Sequence, residues 1–494
     1  MSTPSASPEA EAIRLMRAGR LAEALRLAER AVAGKTACSP AHGLLATILL
    51  RLGRAAEAEA AVEKALKSAR GTAEAYASLA YVSVSLGRHE RASSLYQRAT
   101  QLGPTVAAHW YNLASSERSL GRLEQAEVAC DRAIALNPHD YRGYLLRSEL
   151  RPQTAAANHV EPLRRALARP DLPDSGRVLL GYALGKELDD LGQYDQAFRW
   201  FALAATTRRR QLPYDVAAEE HQLRRIAEAF PRVPGRSLHG RDESGRFVFI
   251  VGLPRSGTTL LERILTGLPG VRSNGESDYF ARALLAAAFA EGVAKDGGAH
   301  DVLARTAAAD GDAVAAGYVR LADPDGTRGV IIEKLPVNYL YLGAIHRALP
   351  QARLVVVSRS PLDVCFGMYC TLFGEAYPFS YDLRDLARYY AAYSRLLAHW
   401  REAFGESIHD VRYEELASDP VRVGAAAARF SGLEWRDSAV HIENNTTVCL
   451  TQSAAQVRRP IYRSSTARWR HYRAHLEPLI EALRGQGVQL PELE

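Results

Sequence analysis

The first third of the chain repeats one pattern of small, apolar and polar positions. Gly19, Gly53, Gly87 and Gly121 are each followed by arginine and stand 34 residues apart. Ala24, Ala58, Ala92 and Ala126 keep the same phase, and so do Ala31, Ala65, Ala99 and Ala133. Leu45, Leu79 and Leu113 extend the register, as do Pro104 and Pro138. Each period accommodates two antiparallel helices. The glycine suits the turn, the alanines let the helices approach closely, and the proline ends the second helix. Regular units run over about 11–150. A weaker copy, LGQYDQAF, keeps the spacing of five between Gly192 and Ala197, which gives a degenerate unit at about 173–210. The stretch 151–180 is less regular and is expected to hold irregular helices.

At 231–246 the pattern breaks into PRVPGRSLHGRDESGR, rich in proline, glycine and charge, which reads as a joint. Beyond it, short β-rich apolar runs at 247–251, 330–332 and 354–357 alternate with helical stretches. That alternation predicts a parallel sheet with covering helices. The expected architecture is multidomain: an all-α repeat region over 1–230, a linker at 231–246 and an α/β domain over 247–494. A helical period of 34 residues resembles the tetratricopeptide repeat. Such arrays present a concave face to a peptide or protein partner. The pattern equally allows an array that only scaffolds or dimerises an enzyme.

Composition changes this picture little. Hydrophobic content of 47% and charged content of 24% are ordinary for a globular protein. A net charge of +6 fits an anionic ligand but is too diffuse to imply nucleic acid. Cys38, Cys130, Cys365, Cys370 and Cys449 form no C-x-x-C and no zinc spacing. Scattered thiols fit a reducing compartment. The start MSTPSASPEAEA lacks the basic and apolar regions of a signal peptide, and no apolar run approaches membrane-spanning length. The expectation is a cytoplasmic protein with no membrane span.

The chemistry gathers after the first apolar run of the second half. Residues 247–259 read FVFIVGLPRSGTT, and LLERIL follows. Strand, glycine-rich turn and helix N-terminus make an anion pocket, because free backbone N–H groups and the helix dipole converge there. The spacing from Gly252 to Gly257 matches a phosphate loop, yet Thr258 stands where the loop lysine belongs. Nucleoside triphosphate hydrolysis needs that lysine. The run 354–357 ends in Ser358 and Arg359, with no acidic residue to hold magnesium. The pocket therefore suits a phosphate group and argues against ordinary ATP or GTP turnover.

The run PRSGTT resembles the phosphosulfate loop of the sulfotransferases. The likeness covers roughly 247–475 and is strongest to the tyrosylprotein sulfotransferase-like branch, whose bacterial members carry N-terminal tetratricopeptide repeats. The resemblance implies 3′-phosphoadenosine 5′-phosphosulfate (PAPS) as donor and no metal. Arg255, Ser256, Gly257, Thr258 and Thr259 would hold the 5′-phosphosulfate, with the Arg255 guanidinium able to grip two oxygens. Arg359, Tyr413 in RYEEL and Arg468 before Trp469 match further donor-binding positions. Two family positions near the 3′-phosphate differ: Gly367 replaces a serine eight residues after Arg359, and Thr371 replaces a basic residue. A lost hydrogen bond to a charged group costs on the order of 1.5–3 kcal/mol.

The same resemblance assigns catalysis. Glu276 in NGESDYF stands where the branch has its base, which takes the proton of an acceptor hydroxyl. Lys334 in IIEKLP would stabilise charge on the leaving oxygen, Ser453 would assist it, and Arg255 would join them in stabilising the leaving phosphate side. Gln456, Val457 and Pro460 keep the spacing of a loop that closes over the nucleotide. Read without the family, Glu276 is a helix-start acid and Lys334 pairs with neighbouring Glu333 on the surface. Pro336 is expected to stop the strand, and Asn338 to cap the next helix. The expected activity is PAPS-dependent sulfuryl transfer to a hydroxyl, by preference a peptide or protein tyrosine. A carbohydrate or small-molecule acceptor stays open, as does a non-catalytic repeat adaptor.

Overall fold

The computed structural model describes residues 7–33, 39–67, 71–231, 246–290, 301–327, 329–445, 447–451, 453–462 and 466–490. Most of the joint expected at 231–246 lies outside them, as does Cys38. The chain divides into two compact units: Met1–Pro152 with Thr447–Cys449, and Gln153–Thr446 with Leu450–Glu494.

In the first unit the repeat becomes four helical hairpins. They are Pro8–Arg17 with Leu21–Val32, Pro40–Arg51 with Ala55–Leu66, Ala73–Ser85 with His89–Leu102, and Ala107–Leu120 with Leu123–Leu136. Gly19, Gly53, Gly87 and Gly121 sit in the turns with φ between 73° and 82°. A Cβ at Gly19, Gly53 or Gly87 would meet nothing within 4 Å. The backbone angle, not lack of room, is what asks for glycine there. Ala24, Ala58, Ala92 and Ala126 are fully buried between helices, as expected of positions that set the interhelical distance. The arginine after each glycine starts the second helix. Arg20 and Arg54 pair with Glu23 and Glu57 in their own first turn, both at 2.6 Å. Arg91 reaches Glu59 at 2.8 Å and Arg122 reaches Glu90 at 2.5 Å, linking successive hairpins.

The second unit opens with further helices. Val160–Leu167 is short, as the irregular stretch implied. Asp174–Asp190 and Tyr194–Arg210 then form the degenerate hairpin, with Gly192 at φ 71° in its turn and Ala197 buried. Its helices touch closely, since a Cβ on Gly185 would lie 2.8 Å from the Phe201 ring. By its contacts this hairpin belongs with the sheet-bearing unit: the Tyr182 hydroxyl donates to the Tyr369 carbonyl at 3.3 Å, and Arg209 pairs with Asp385 at 2.9 Å.

Five strands form one parallel sheet among the described residues: β1 (Phe247–Val251), β2 (Val271–Ser273), β3 (Val330–Glu333), β4 (Arg353–Ser358) and β5 (Ile408–Arg412). Their spatial order is β2-β3-β1-β4-β5. β1 lies at the centre and all five of its residues are buried, which explains its unbroken apolar run. On one face Phe247 and Phe249 pack on Tyr318, at 5.1 and 5.6 Å between ring centres. The three runs expected as strands are β1, β3 and β4. Asn338 departs from expectation. Pro336–Leu340 is a 3-10 turn with Asn338 buried inside it, and no side chain caps the helix Leu342–Ala348 that follows. Among the described residues no helix is long and apolar enough to cross a membrane.

Candidate active site

One switch point in the strand order sets the site. β1 has β3 on one side and β4 on the other, so chain ends from three adjacent strands open together at the carboxyl edge, where open α/β sheets bind ligands. The turn after β1 enters the helix Thr258–Leu265. A Cβ on Gly252 would collide with the Val357 carbonyl, and one on Gly257, at φ 104°, with the Tyr413 ring. Glycine at these two positions lets the backbone pass close to β4 and to Tyr413. Between them Arg255 takes φ 70°, a left-handed angle for a side chain that ordinarily avoids it. Such a residue costs on the order of 1 kcal/mol. Arg359 offsets this by donating from Nη1 to the Arg255 carbonyl at 3.1 Å.

The loop side chains are mostly inside. Ser256, Thr258 and Thr259 are buried. The Ser256 hydroxyl has no hydrogen-bond partner among the described residues, nor has that of Ser360 beyond β4. A buried hydroxyl with nothing to bond is costly unless a ligand completes it. Both stand beside the turn that sequence analysis assigned to an anion. The Arg255 guanidinium donates to Ser453 Oγ at 2.8 Å and to Gln456 Oε1 at 2.9 Å, so the C-terminal segment closes on the loop through this residue. Ser453, expected beside Lys334, thus makes its side-chain contact with Arg255.

Arg359 and Tyr413 meet because their strands do. Ser358 of β4 is in register with Arg412 of β5, and the next residues emerge side by side. The Arg359 guanidinium carbon lies 4.5 Å from the centre of the Tyr413 ring, a cation–π contact. Gly367 has a local reason: a Cβ there would come within 3.3 Å of the Arg255 Cβ. The left-handed Arg255 occupies room that a serine side chain needs. Thr371 bonds the Gly367 carbonyl at 2.8 Å. Among the described residues, Arg468 directs its side-chain hydrogen bonds to Asp189 and not to the loop. It lies 5.4 Å from the Phe366 ring and pairs with Asp189 at 2.6 Å. Burial opposes its charge, but the Asp189 carboxylate holds the guanidinium above its ordinary value.

Glu276 and Lys334 are joined by the pairing of β2 and β3. Ser273 is in register with Ile332, the Asn274 amide donates to the Ile332 carbonyl at 2.9 Å, and the Lys334 amide donates to the Gly275 carbonyl at 3.0 Å. Lys334 is completely buried and its Nζ donates to Glu276 Oε1 at 2.6 Å. A second carboxylate, Glu262 in the helix after the loop, lies 3.6 Å from the same nitrogen. Glu276 remains 40% exposed, which leaves its other oxygen reachable. The surface pair of Lys334 with Glu333 does not form: the two side chains leave the strand on opposite sides.

Sequence reasoning missed one buried acid, Glu262, and placed another, Glu333, on the surface. Glu262 accepts from Ser273 Oγ at 2.5 Å, and its signal was a charge inside the apolar run TTLLERIL. Glu333 ends the apolar strand VIIE, fully buried. Among the described residues no three His, Cys, Asp or Glu side chains gather in a metal-binding group.

A central parallel strand, a glycine turn and a helix N-terminus define an α/β domain, in which a buried lysine is hydrogen-bonded to an accessible carboxylate. Residues 248–437 match the sulfotransferase family, and residues 15–80, 73–105 and 107–140 match tetratricopeptide repeats. The chain carries a sulfotransferase family domain behind N-terminal tetratricopeptide repeats. An uncharacterized protein of Aquifex aeolicus is 29% identical over 362 residues, which is 70% of this chain and 47% of that protein. The chain thus spans about half the length of that relative. Among solved structures, the sulfotransferase domain from the Synechococcus PCC 7002 olefin synthase is 19% identical, with a TM-score of 0.32 over 50% of this chain and 95% of that domain. The sulfotransferase domain from the curacin biosynthetic pathway is 17% identical, with a TM-score of 0.34 over 49% and 98%.

Proposed function

We propose that this protein moves a sulfuryl group from PAPS to an acceptor hydroxyl, by preference the phenol of a tyrosine in a peptide or protein, as in the tyrosylprotein sulfotransferase-like branch. One observation carries the proposal: the buried Lys334 ammonium sits 2.6 Å from the accessible Glu276 carboxylate. A binding module has no use for that pair.

The residues present suit the donor. The loop N–H groups and the unpartnered Ser256 and Ser360 hydroxyls offer hydrogen bonds to anionic oxygens, and Arg255 and Arg359 add fixed positive charge. PAPS supplies the activated sulfuryl group. Glu276 takes the proton from the acceptor hydroxyl as the new O–S bond forms. The bond from sulfur to the 5′-phosphate oxygen breaks, and Lys334 faces the charge that develops there. Protonation of Glu276 weakens its hold on Lys334, while Glu262 continues to anchor the ammonium. Tyr377 lies near Glu276. Burial, and then the nearby Glu276 charge, push its hydroxyl well above the ordinary tyrosine range. Its ring meets Phe373 edge-on at 4.9 Å, an aromatic wall in the neighbourhood of the base.

In this reading the repeats bind the peptide that carries the acceptor or another protein partner. The reaction is cytoplasmic, in keeping with free thiols at Cys130, Cys365, Cys370 and Cys449. The Arg468–Asp189 pair favours a second reading, a non-catalytic adaptor with a weakened 3′-phosphate site. The two separate experimentally. Radiolabelled PAPS offered to peptide, sugar and phenol pools gives labelled peptide under the first reading and no label under the second. Thermal stabilisation by 3′-phosphoadenosine 5′-phosphate that exceeds stabilisation by ADP supports the donor site, and equal shifts count against it.

A further inference from the structure

Glu276 sits on a turn that its own backbone holds weakly. Gly275 takes φ 63°, and the strand bonds of Asn274 and Lys334 secure only the β3 side of residues 273–277. Side chains add the remaining hold: Ser273 Oγ accepts from the Gly275 amide at 2.9 Å and donates to Glu262, and two further side chains meet on one buried carboxylate. Glu333 Oε1 accepts from Asn274 Nδ2 at 2.7 Å, and Glu333 Oε2 accepts from Ser277 Oγ at 2.5 Å. These donors stand two residues before and one residue after Glu276. Asn274 is fixed in turn: it donates to the Ala322 carbonyl at 3.1 Å and accepts from Arg272 Nη1 at 2.9 Å.

We propose that Glu333 is a positioning residue, which clamps the turn on both sides of Glu276 and thereby sets the Glu276–Lys334 geometry. The proposal rests on the reading of Glu276 as the base. Glu333 is fully buried and spends its two oxygens on Asn274 and Ser277, so it acts through the turn and not on the reacting atoms. A buried carboxylate is a costly way to end a strand, and an apolar residue there would take this acceptor from the Ser277 hydroxyl and leave Asn274 with Ala322 and Arg272 alone. Adjacent residues of β3 therefore divide the work. Lys334 bonds Glu276 directly, and Glu333 bonds the chain around it. A displacement of the base by about 1 Å is enough to cost on the order of a hundredfold in rate.

The test compares wild type, Glu333→Ala, Glu333→Gln and Ser277→Ala in the full chain. Two measurements are made: transfer of label from PAPS to a tyrosine-peptide pool, and amide hydrogen exchange over 274–277 without ligand. Glu333→Ala is expected to lower kcat at least about tenfold with the PAPS KM unchanged within about twofold. Exchange over the turn is expected to quicken by about tenfold or more. Glu333→Gln keeps an acceptor oxygen for Asn274, and its NH2 can donate to the Ser277 hydroxyl, which then accepts; it is expected to stay within about threefold of wild type in both measurements. A Glu333→Ala protein with wild-type rate or exchange overturns the proposal, and so does a Glu333→Gln protein as damaged as the alanine. If Glu333→Ala does not fold, Ser277→Ala decides: unchanged kcat and exchange overturn the clamp, and loss of both supports it. If wild type transfers no label, the sulfotransferase reading fails, and the exchange measurement alone judges the clamp.

Discussion

Lys334 Nζ donates to Glu276 Oε1 at 2.6 Å although 58 residues of chain separate them. The β2–β3 pairing brings them together, and burial of the lysine gives the contact its strength. Glu262 completes a group in which two carboxylates share one ammonium. The arrangement places an accessible carboxylate and a buried ammonium within one hydrogen bond of each other, and Glu262 ties the pair to the helix after the β1 turn.

Glu276→Gln is expected to lower transfer by about 10²–10⁴-fold, the usual contribution of a positioned base. Stabilisation by 3′-phosphoadenosine 5′-phosphate should persist, since the amide leaves the loop untouched. Radiolabel transfer and thermal shifts on the same protein check both halves. Full activity in the variant excludes Glu276 as the base.

Lys334→Ala is expected to cost more stability than Glu276→Gln. Lys334 is completely buried, and its loss leaves Glu262 facing Glu276 without a cation between them. Removing one partner of a buried pair costs on the order of 3 kcal/mol. Glu276 is 40% exposed, and its neutralisation is expected to cost under about 1 kcal/mol. Denaturant unfolding of the two variants measures the order, and a reversed order contradicts the burial argument.

Gly257→Ala is expected to abolish stabilisation by 3′-phosphoadenosine 5′-phosphate. The position has φ 104° and no room beside Tyr413, so the loop must shift to admit a methyl group. Strain of this kind costs on the order of 1–3 kcal/mol. Thermal unfolding with and without the nucleotide reads both effects, and a normal nucleotide shift contradicts the loop assignment.

Glu333 gives a pH dependence with a definite sign. Burial pushes its carboxyl up to about 7, while Ser277, Asn274, Tyr318 and Arg272 act in the opposite direction, and the Tyr279 phenol lies near it. Below the ordinary carboxylate value both folded and unfolded states hold the proton. Between that value and about 7 the unfolded chain releases its proton first, so stability falls as pH rises, and the loss levels off above about 7. Glu333→Gln carries no proton to lose. It is expected to be more stable than wild type at pH 8 by roughly 3 kcal/mol and nearly equal to it close to pH 4. Urea midpoints at the two pH values test this, and a gap of the same size at both removes the titration argument.

Some of this was legible from the chain alone. Four in-phase glycines at left-handed angles, and alanines buried at fixed intervals, are local demands of a helical hairpin, so the sequence shows them directly. β1 announced itself because burial on both faces leaves no polar position in it. β2 and β5 did not. They are edge strands of partly exposed residues, VRS and IHDVR, and no apolar run marks them.

The repeat period, the central strand and the strained glycine turn were determined by the sequence itself, because each depends on residues close along the chain. The partners of the charged side chains were decided by the tertiary structure. Lys334 chose Glu276 over adjacent Glu333, Arg255 took Ser453 and Gln456, and Arg468 went to Asp189. Alternation along β3 turns neighbouring residues to opposite faces, and strand pairing brings distant ones within hydrogen-bond reach. Charge pairing is settled by distance and burial in three dimensions, and neither quantity is written in the order of the residues.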